Sequence, residues 1–208
     1  TCKNCERMPP LSVIFAGQLL PPRATPDQAA IELMNDVLGG QFTSRLNMNL
    51  REDKHWSYGA RSFAYDARGQ RRFFAYAPVQ TDKTAEAIAE IRREFAELVG
   101  KRPATPEEVA MVKRTNTLSL PGQWETGGAV LGSVSQIVQF GLPDDYWNNY
   151  AATIRGVTPE QVNKAAQDHL RPEDLVMVVV GDRQVIEPKL KGLGFDSIQL
   201  INADGELL

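Results

Sequence analysis

The chain has 208 residues, of which 42% are hydrophobic and 24% charged. At roughly 150 residues per domain this is the length of one large domain with enough apolar content for a packed core, and too much for a disordered chain. A formal charge of −3 gives no overall attraction for nucleic acid or anionic lipid, so no nucleic-acid partner is expected. Only two histidines occur, His55 and His169. No His-x-x-His, His-Glu-x-x-His or His-x-x-Glu-His motif can therefore be written, and a self-contained histidine-based zinc site is not expected. The only cysteines, Cys2 and Cys5, form a Cys-x-x-Cys before any periodic segment. That pair lacks both the further ligands of a structural zinc site and the strand–helix setting of a redox motif. Residues 1–10 read as an N-terminal tail or expression remnant and residues 11–208 as a single domain. Opening on Thr1 rather than Met, the chain is expected to be a piece of something longer.

Leu11 to Leu20 is apolar but interrupted by Gln18 and followed by no small-x-small cleavage site, so it is expected to be a first strand rather than a signal sequence. The longest unbroken apolar run, Leu175 to Val180, is far too short to span a bilayer. Three segments open alike: Thr25-Pro26-Asp27-Gln28, Thr105-Pro106-Glu107-Glu108 and Thr158-Pro159-Glu160-Gln161. Each offers a threonine cap, a proline suited to the first helical turn and a Glu or Gln able to return to the cap's amide, which predicts three helix starts.

The first of these helices carries Ala30, Ile31, Met34, Val37 and Leu38 on one face and is expected to stop at Gly39-Gly40 through a left-handed glycine. A short helix is expected from Thr43 to Glu52. Ser57–Asp66 and Gln70–Gln80 read as a β-hairpin around Ala67-Arg68-Gly69. Helical spacing then predicts Thr84–Val99, Glu107–Leu118, Trp124–Phe140, Asp145–Ile154 and Pro159–His169, with Gly141-Leu142-Pro143 closing the third of these. Asp174–Val180 fits a strand buried on both faces. A helix is expected from Glu187 onward, with one last short strand. The pattern predicts an α+β fold, a mainly antiparallel sheet of about four to five strands with helices packed on one face.

The densest chemistry lies between Gly39 and Gly59. Arg51 falls near a helix end and Tyr58 at the expected start of a strand, seven residues apart across a tight connection, so both side chains can reach one cleft. A guanidinium fork suits a carbonyl or carboxylate, and a phenol suits an oxyanion. Ordinary structural roles fit them too, since arginine complements a helix C-terminus and tyrosine favours strands. Lys113 and Arg114 are expected on a solvated helix face and Trp124 and Trp147 in the core. No Gly-x-Ser-x-Gly elbow supports a serine hydrolase.

The run Leu-Gly-Gly-x-Phe-Thr-Ser-Arg-Leu-x-x-x-Leu-Arg-Glu-x-Lys-x-x-x-Tyr-Gly, from Leu38 to Gly59, resembles the non-catalytic half of pitrilysin/insulinase-type zinc metallopeptidases, which include the processing peptidases. The resemblance extends from Leu11-Ser12-Val13-Ile14 through Thr81-Asp82-Lys83-Thr84 and Gly141-Leu142-Pro143-Asp144-Asp145-Tyr146 to Val178-Val179-Val180-Gly181-Asp182. It implies one half of a clamshell whose other half, on the same or a separate chain, bears His-x-x-Glu-His and the zinc. On this chain it implies no metal- or cofactor-binding residue, and it gives Arg51 and Tyr58 the role of holding the peptide substrate's backbone and stabilising the tetrahedral oxyanion. By itself the chain would be inactive. The sequence departs from the resemblance at His55 and Trp56, where a glycine and an aliphatic residue or tyrosine are usual. His55 reads as a loop histidine or a group titrating near the site; Trp56 reads as cleft lining or strand-edge packing. The same resemblance allows a non-proteolytic assembly subunit like the core subunits of a respiratory complex, and sheet-edge capture of extended segments by a peptide-binding module remains a further reading. The expected setting is bacterial periplasm or cytoplasm.

Overall fold

A computed structural model describes residues 11–208; Cys2 and Cys5 lie outside them. Strand β1 (Leu11–Leu20) alternates, with Ser12, Ile14, Ala16 and Leu20 buried on one face. It sits inside a four-stranded sheet of order β2-β3-β1-β4, formed with β2 (Arg61–Tyr65), β3 (Arg71–Gln80) and β4 (Val176–Val180). All pairings are antiparallel: Phe15 lies opposite both Tyr76 and Val178, and Phe63 opposite Phe74.

Helices cover the face that carries Ile14, Ala16, Phe73, Ala75, Ala77 and Val79, which join the buried core. They are α1 (Gln28–Asn35), which runs on into a π-helical turn at Asp36–Gly40, α2 (Arg45–Asn47), which runs on into another at Met48–Asp53, and α3 (Thr84–Val99). Then come α4 (Pro106–Leu118), α5 (Leu120–Gln123), α6 (Gly127–Phe140), α7 (Tyr146–Gly156), α8 (Pro159–His169) and α9 (Arg183–Leu190). Ile31, Leu33 and Met34 of α1, Ile88, Ile91 and Phe95 of α3 and Val162 and Ala166 of α8 supply the helix side of the core. Full burial of each large apolar side chain contributes about 1.5–3 kcal/mol. The opposite sheet face bears a ring cluster of Phe15, Phe63, Tyr65, Phe74 and Tyr76, with centroids 5.2–6.4 Å apart. The fold is α+β with one antiparallel sheet.

Two of the three threonine starts form full capping boxes, at Thr105 with Glu108 and at Thr158 with Gln161. The third does not. Thr25 Oγ1 donates to Asp27 Oδ1 instead, and Asp27 pairs with His169 Nε2, so α1 begins at Gln28 without a side-chain cap. Gly39 and Gly40 are not left-handed. They are needed for close approach: a Cβ on Gly39 would lie 2.4 Å from the Ser62 amide nitrogen of β2, and one on Gly40 2.2 Å from Asp36 Oδ1.

The strand expected from Ser57 shortens to Arg61–Tyr65, leaving only a bridge between Ser57 and Val79. The β2–β3 ladder ends at Arg61 opposite Tyr76, two residues before Pro78, which has no amide to offer it. The helix expected from Trp124 starts at Gly127, because Thr126 caps it by accepting from the Ala129 amide. Gly141, at φ +65°, closes it. The valine strand β4 is an edge strand, not one buried on both faces: Val176, Val178 and Val180 share the aromatic face and are 68%, 42% and 60% exposed. The last helix begins at Arg183 rather than Glu187, and the final strand is reduced to a bridge between Ile201 and Leu207.

Candidate functional site

The stretch from Gln41 to Gly59 divides into side chains that anchor it and side chains that leave it. Leu46 and Leu50 point into the core. Alongside them the polar residues Arg45, Asn47 and Asn49 are buried and committed. Arg45 forks onto Glu108, with Nε to Oε1 at 2.8 Å and Nη2 to Oε2 at 2.7 Å, and its remaining donors reach the Pro103 and Arg102 carbonyls. Burial alone would raise the Glu108 carboxyl, but the Arg45 hydrogen bonds and the Thr105 amide outweigh it and hold it below the usual carboxylate range. Asn47 donates to the Phe42 carbonyl and accepts from the Ala60 amide, tying both ends of the stretch together. Asn49 donates to Glu90 and Glu94 of α3.

Arg51 and Tyr58 are different. The Arg51 guanidinium lies 4.9 Å from the centroid of the Phe42 ring, a cation–π placement, and its Nε pairs with Glu52 at 3.2 Å. Among the described residues its two terminal nitrogens have no protein partner. Tyr58 is 73% exposed, and among the described residues no group bonds its hydroxyl. It stands in the loop before β2 rather than at a strand start.

That loop is closely held. The Leu50 carbonyl accepts from the amides of both Trp56 and Ser57, the Gln80 amide donates to the Trp56 carbonyl, and Ser57 Oγ donates to the Pro78 carbonyl at 2.6 Å. The seven-residue link is thereby folded back on the end of β3, and it presents an unused guanidinium fork and an unused phenol from one short, braced segment. The brace uses Asn47, Ser57 and Gln80, which no spacing rule picks out; the only clue was the density of polar residues in the run.

His55 takes a left-handed conformation, φ +57°, the one non-glycine residue to do so among those described. Its Nδ1 lies 3.1 Å from the Arg51 carbonyl. Trp56 packs partly buried against the core, flanked by the ammonium groups of Lys54 and Lys83 at 6.0 and 5.8 Å. Trp124 and Trp147 also pack partly buried against the core. Lys113 is not simply solvated, because it donates to the Val157 carbonyl.

Among the described residues no three His, Cys, Asp or Glu side chains gather as a metal-binding group. The two histidines are engaged separately, His169 with Asp27 and His55 with its own loop. The donor set of a zinc site is not met by these residues. No helix among the described residues is long and apolar enough to cross a membrane.

The chain is thus one antiparallel sheet under a helical layer, with Arg51 and Tyr58 on a braced loop and, among the described residues, no metal-binding cluster. The family profile of the peptidase M16 inactive domain matches residues 4–116, and the chain belongs to that family. In structure it is similar to the peptidase M16 inactive domain from Pseudomonas fluorescens, with 25% identity, a TM-score of 0.75 and coverage of 83% of this chain and 41% of that one. The inactive peptidase domain of a candidate zinc protease from Bordetella parapertussis matches with 16% identity and a TM-score of 0.71, over 84% of this chain and 94% of that one. A chain of complex III2 from Candida albicans shares the fold at 12% identity and a TM-score of 0.71, over 88% of this chain and 46% of that one. This chain thus spans less than half the length of the Pseudomonas and Candida chains. A sequence search of curated proteins gives no significant match.

Proposed function

We propose that this chain is the substrate-holding half of a zinc-dependent metalloendopeptidase of the pitrilysin/insulinase type, acting with a homologous half that bears His-x-x-Glu-His and the zinc. The observation that carries this reading is the pair of uncommitted donors, Arg51 and Tyr58, on a braced loop in a chain of the M16 inactive-domain family. Arg51, supported on the Phe42 ring, offers its two terminal nitrogens to carbonyl oxygens of an extended peptide. Tyr58 donates its hydroxyl to the oxygen that gains charge as the scissile carbonyl becomes tetrahedral. The zinc of the other half supplies an activated water.

A need for a companion is supported by apolar side chains turned outward. Val130, Leu131, Val134 and Val138 of α6 are 45–72% exposed, and Val176, Val178 and Val180 of β4 are 42–68% exposed; outward-facing apolar surface of this kind marks interaction faces.

The test is reconstitution with a co-purifying His-x-x-Glu-His partner. Tyr58→Phe and Arg51→Ala are each expected to lower kcat about 10²–10³-fold, the usual cost of an oxyanion donor, with an unchanged melting temperature because both side chains are exposed. Cleavage at the wild-type rate in both variants would remove the assigned roles. The likeness to the Candida complex III2 chain favours a second reading, a non-proteolytic assembly subunit. A partner that co-purifies without any peptidase activity would support it.

A further inference from the structure

An antiparallel sheet with helices on one face ordinarily turns polar side chains outward on the other, and here it does not. The face away from the helices carries the aromatic ring cluster and continues through the exposed Leu11 and Leu19 of β1 to the valines of β4. These side chains lie apart from the core beneath the helices. Apolar surface of this extent marks a site of interaction.

Its charge and its shape say what it meets. The four strands contain no Asp or Glu. The charged side chains they place on this face are Arg61, opposite Tyr76, and Arg72, opposite Tyr65, and both are exposed. The Arg72 guanidinium lies 5.5 Å from the centroid of the Tyr65 ring. The adjoining Asp66 is held by Arg23 and Arg71 instead, so among the described residues neither Arg61 nor Arg72 has a carboxylate partner. Gly17 of β1 sits on the row midway between the two arginines, opposite Phe74 and Val176. A Cβ there would come no nearer than 3.6 Å to any neighbour, and its backbone is not left-handed, so neither packing nor conformation requires a glycine. A glycine inside a strand weakens it and often marks the close approach of a ligand. Here it leaves a notch between Phe74 and Val176. The Arg51–Tyr58 loop adjoins the Arg61 end of the face: Tyr58 precedes Arg61 by three residues, a reach of at most about 11 Å.

We propose that the β2-β3-β1 part of this face binds an extended, acidic and apolar segment of the substrate peptide, leaving the β4 edge to the companion half. Arg61 and Arg72 take carboxylates, and an apolar side chain enters the Gly17 notch. The proposal rests on the reading of this chain as a substrate-holding half and gives that half a sequence preference. Along the strands the two arginine rows are four residues apart, about 13 Å. An extended peptide covers that distance in four residues and turns every second side chain to one side, so acidic, apolar and acidic residues at i, i+2 and i+4 match the face.

The probe is a dye-labelled peptide, Ser-Glu-Ser-Phe-Ser-Glu-Ser, titrated with the full chain at low ionic strength and followed by fluorescence anisotropy. Saturable binding is expected, weakened at least about tenfold when both Glu are replaced by Lys, because two attractive pairs become repulsive. The combined variant Arg61→Gln and Arg72→Gln alters only exposed side chains and is expected to bind the two peptides alike. Gly17→Val fills the notch and is expected to weaken binding about fivefold or more, with an unchanged or higher melting temperature because valine suits a strand. Equal affinity of the wild-type chain for the two peptides, or no saturable binding, overturns the proposal. So does a retained preference in the double arginine variant or wild-type affinity in folded Gly17→Val. Dimerisation of the wild-type chain that Gly17→Val abolishes, read by sedimentation velocity, also overturns it, since a second copy then occupies the face. Binding needs neither zinc nor a companion half. Normal binding with wild-type turnover in Tyr58→Phe and Arg51→Ala would therefore remove only the catalytic roles, whereas lost binding with impaired turnover in those variants would remove only this peptide site.

Discussion

At the scale of single residues, His55 shows how the site loop is built and what it costs. Its left-handed backbone, φ +57°, is a conformation glycine enters freely and other residues enter at about 1–2 kcal/mol. The family resemblance places a glycine at this position. The strain is partly offset by the contact between the His55 ring and the Arg51 carbonyl, an exposed hydrogen bond worth about 0.5 kcal/mol. His55→Gly is therefore expected to stabilise the fold by about 1 kcal/mol, raising the melting temperature by about 2–4 °C for a chain of this size. A scanning calorimetry trace with an unchanged or lower midpoint would mean that the ring contact outweighs the backbone strain. The same loop explains why Arg51 and Tyr58 could be picked out by type while their neighbours could not be sorted. Arg45, Asn47, Asn49 and Arg51 alternate along one stretch as similar polar letters, yet only the tertiary partners Glu108, Ala60 and Glu94 show that the first three are committed and the last is free.

At the scale of elements, local rules were reliable where the interaction itself is local. Thr105 and Thr158 form capping boxes because every group involved lies within four residues. Thr25 carries the same letters but loses its cap to an interaction between Asp27 and His169, 142 residues further along, which no window can contain. Strand β4 is legible in the sequence but its environment is not: a valine run is equally compatible with a central strand and with an edge, and only the sheet order β2-β3-β1-β4 decides. Gly39 is the sharpest case. Its position at a helix end is legible, but its reason is the packing of a π turn on β2, where an added Cβ would meet the Ser62 amide at 2.4 Å and Ser62 Cβ at 2.8 Å. Since that neighbour is partly backbone, the strand itself would have to move. Gly39→Ala is expected to cost about 1–3 kcal/mol, read as a lower urea midpoint with an unchanged slope. Gly127→Ala, where a Cβ meets nothing within 4 Å, is the control and is expected to be neutral or stabilising.

At the scale of the whole molecule, the helical layer is joined around a carboxyl group that titrates near neutrality. Asp36 lies in the π turn after α1 and accepts from Asn116 of α4 at 2.7 Å, while Gln41, at the head of the site stretch, donates to the same Asn116 at 3.0 Å. Burial pushes the Asp36 carboxyl up to about 7, with the nearby Glu32 adding to the rise and the Asn116 and Gln41 amides opposing it. In the unfolded chain the group ionises near 4, so folding favours its protonated form. The stability this provides is complete below pH 4 and is lost as pH rises through about 7. Asp27 and Glu108 do not contribute to the slope in that range: burial opposes ionisation of both, but their hydrogen bonds hold them below the usual carboxylate range, so they stay ionised in both states above pH 5.5 and lose stability only in acid. Between pH 5.5 and 8 the unfolding free energy is therefore expected to fall by about 2 kcal/mol through Asp36 alone. Glu32, also pushed up by burial, acts in the same direction. Asp36→Asn keeps a neutral acceptor for Asn116 and removes the titration. Its stability is expected to exceed that of the wild type at pH 8, with the slope between the two pH values reduced to the part belonging to Glu32. Urea unfolding at pH 5.5 and 8 checks both statements, and an undiminished slope in Asp36→Asn would place the titrating group elsewhere in the helical layer.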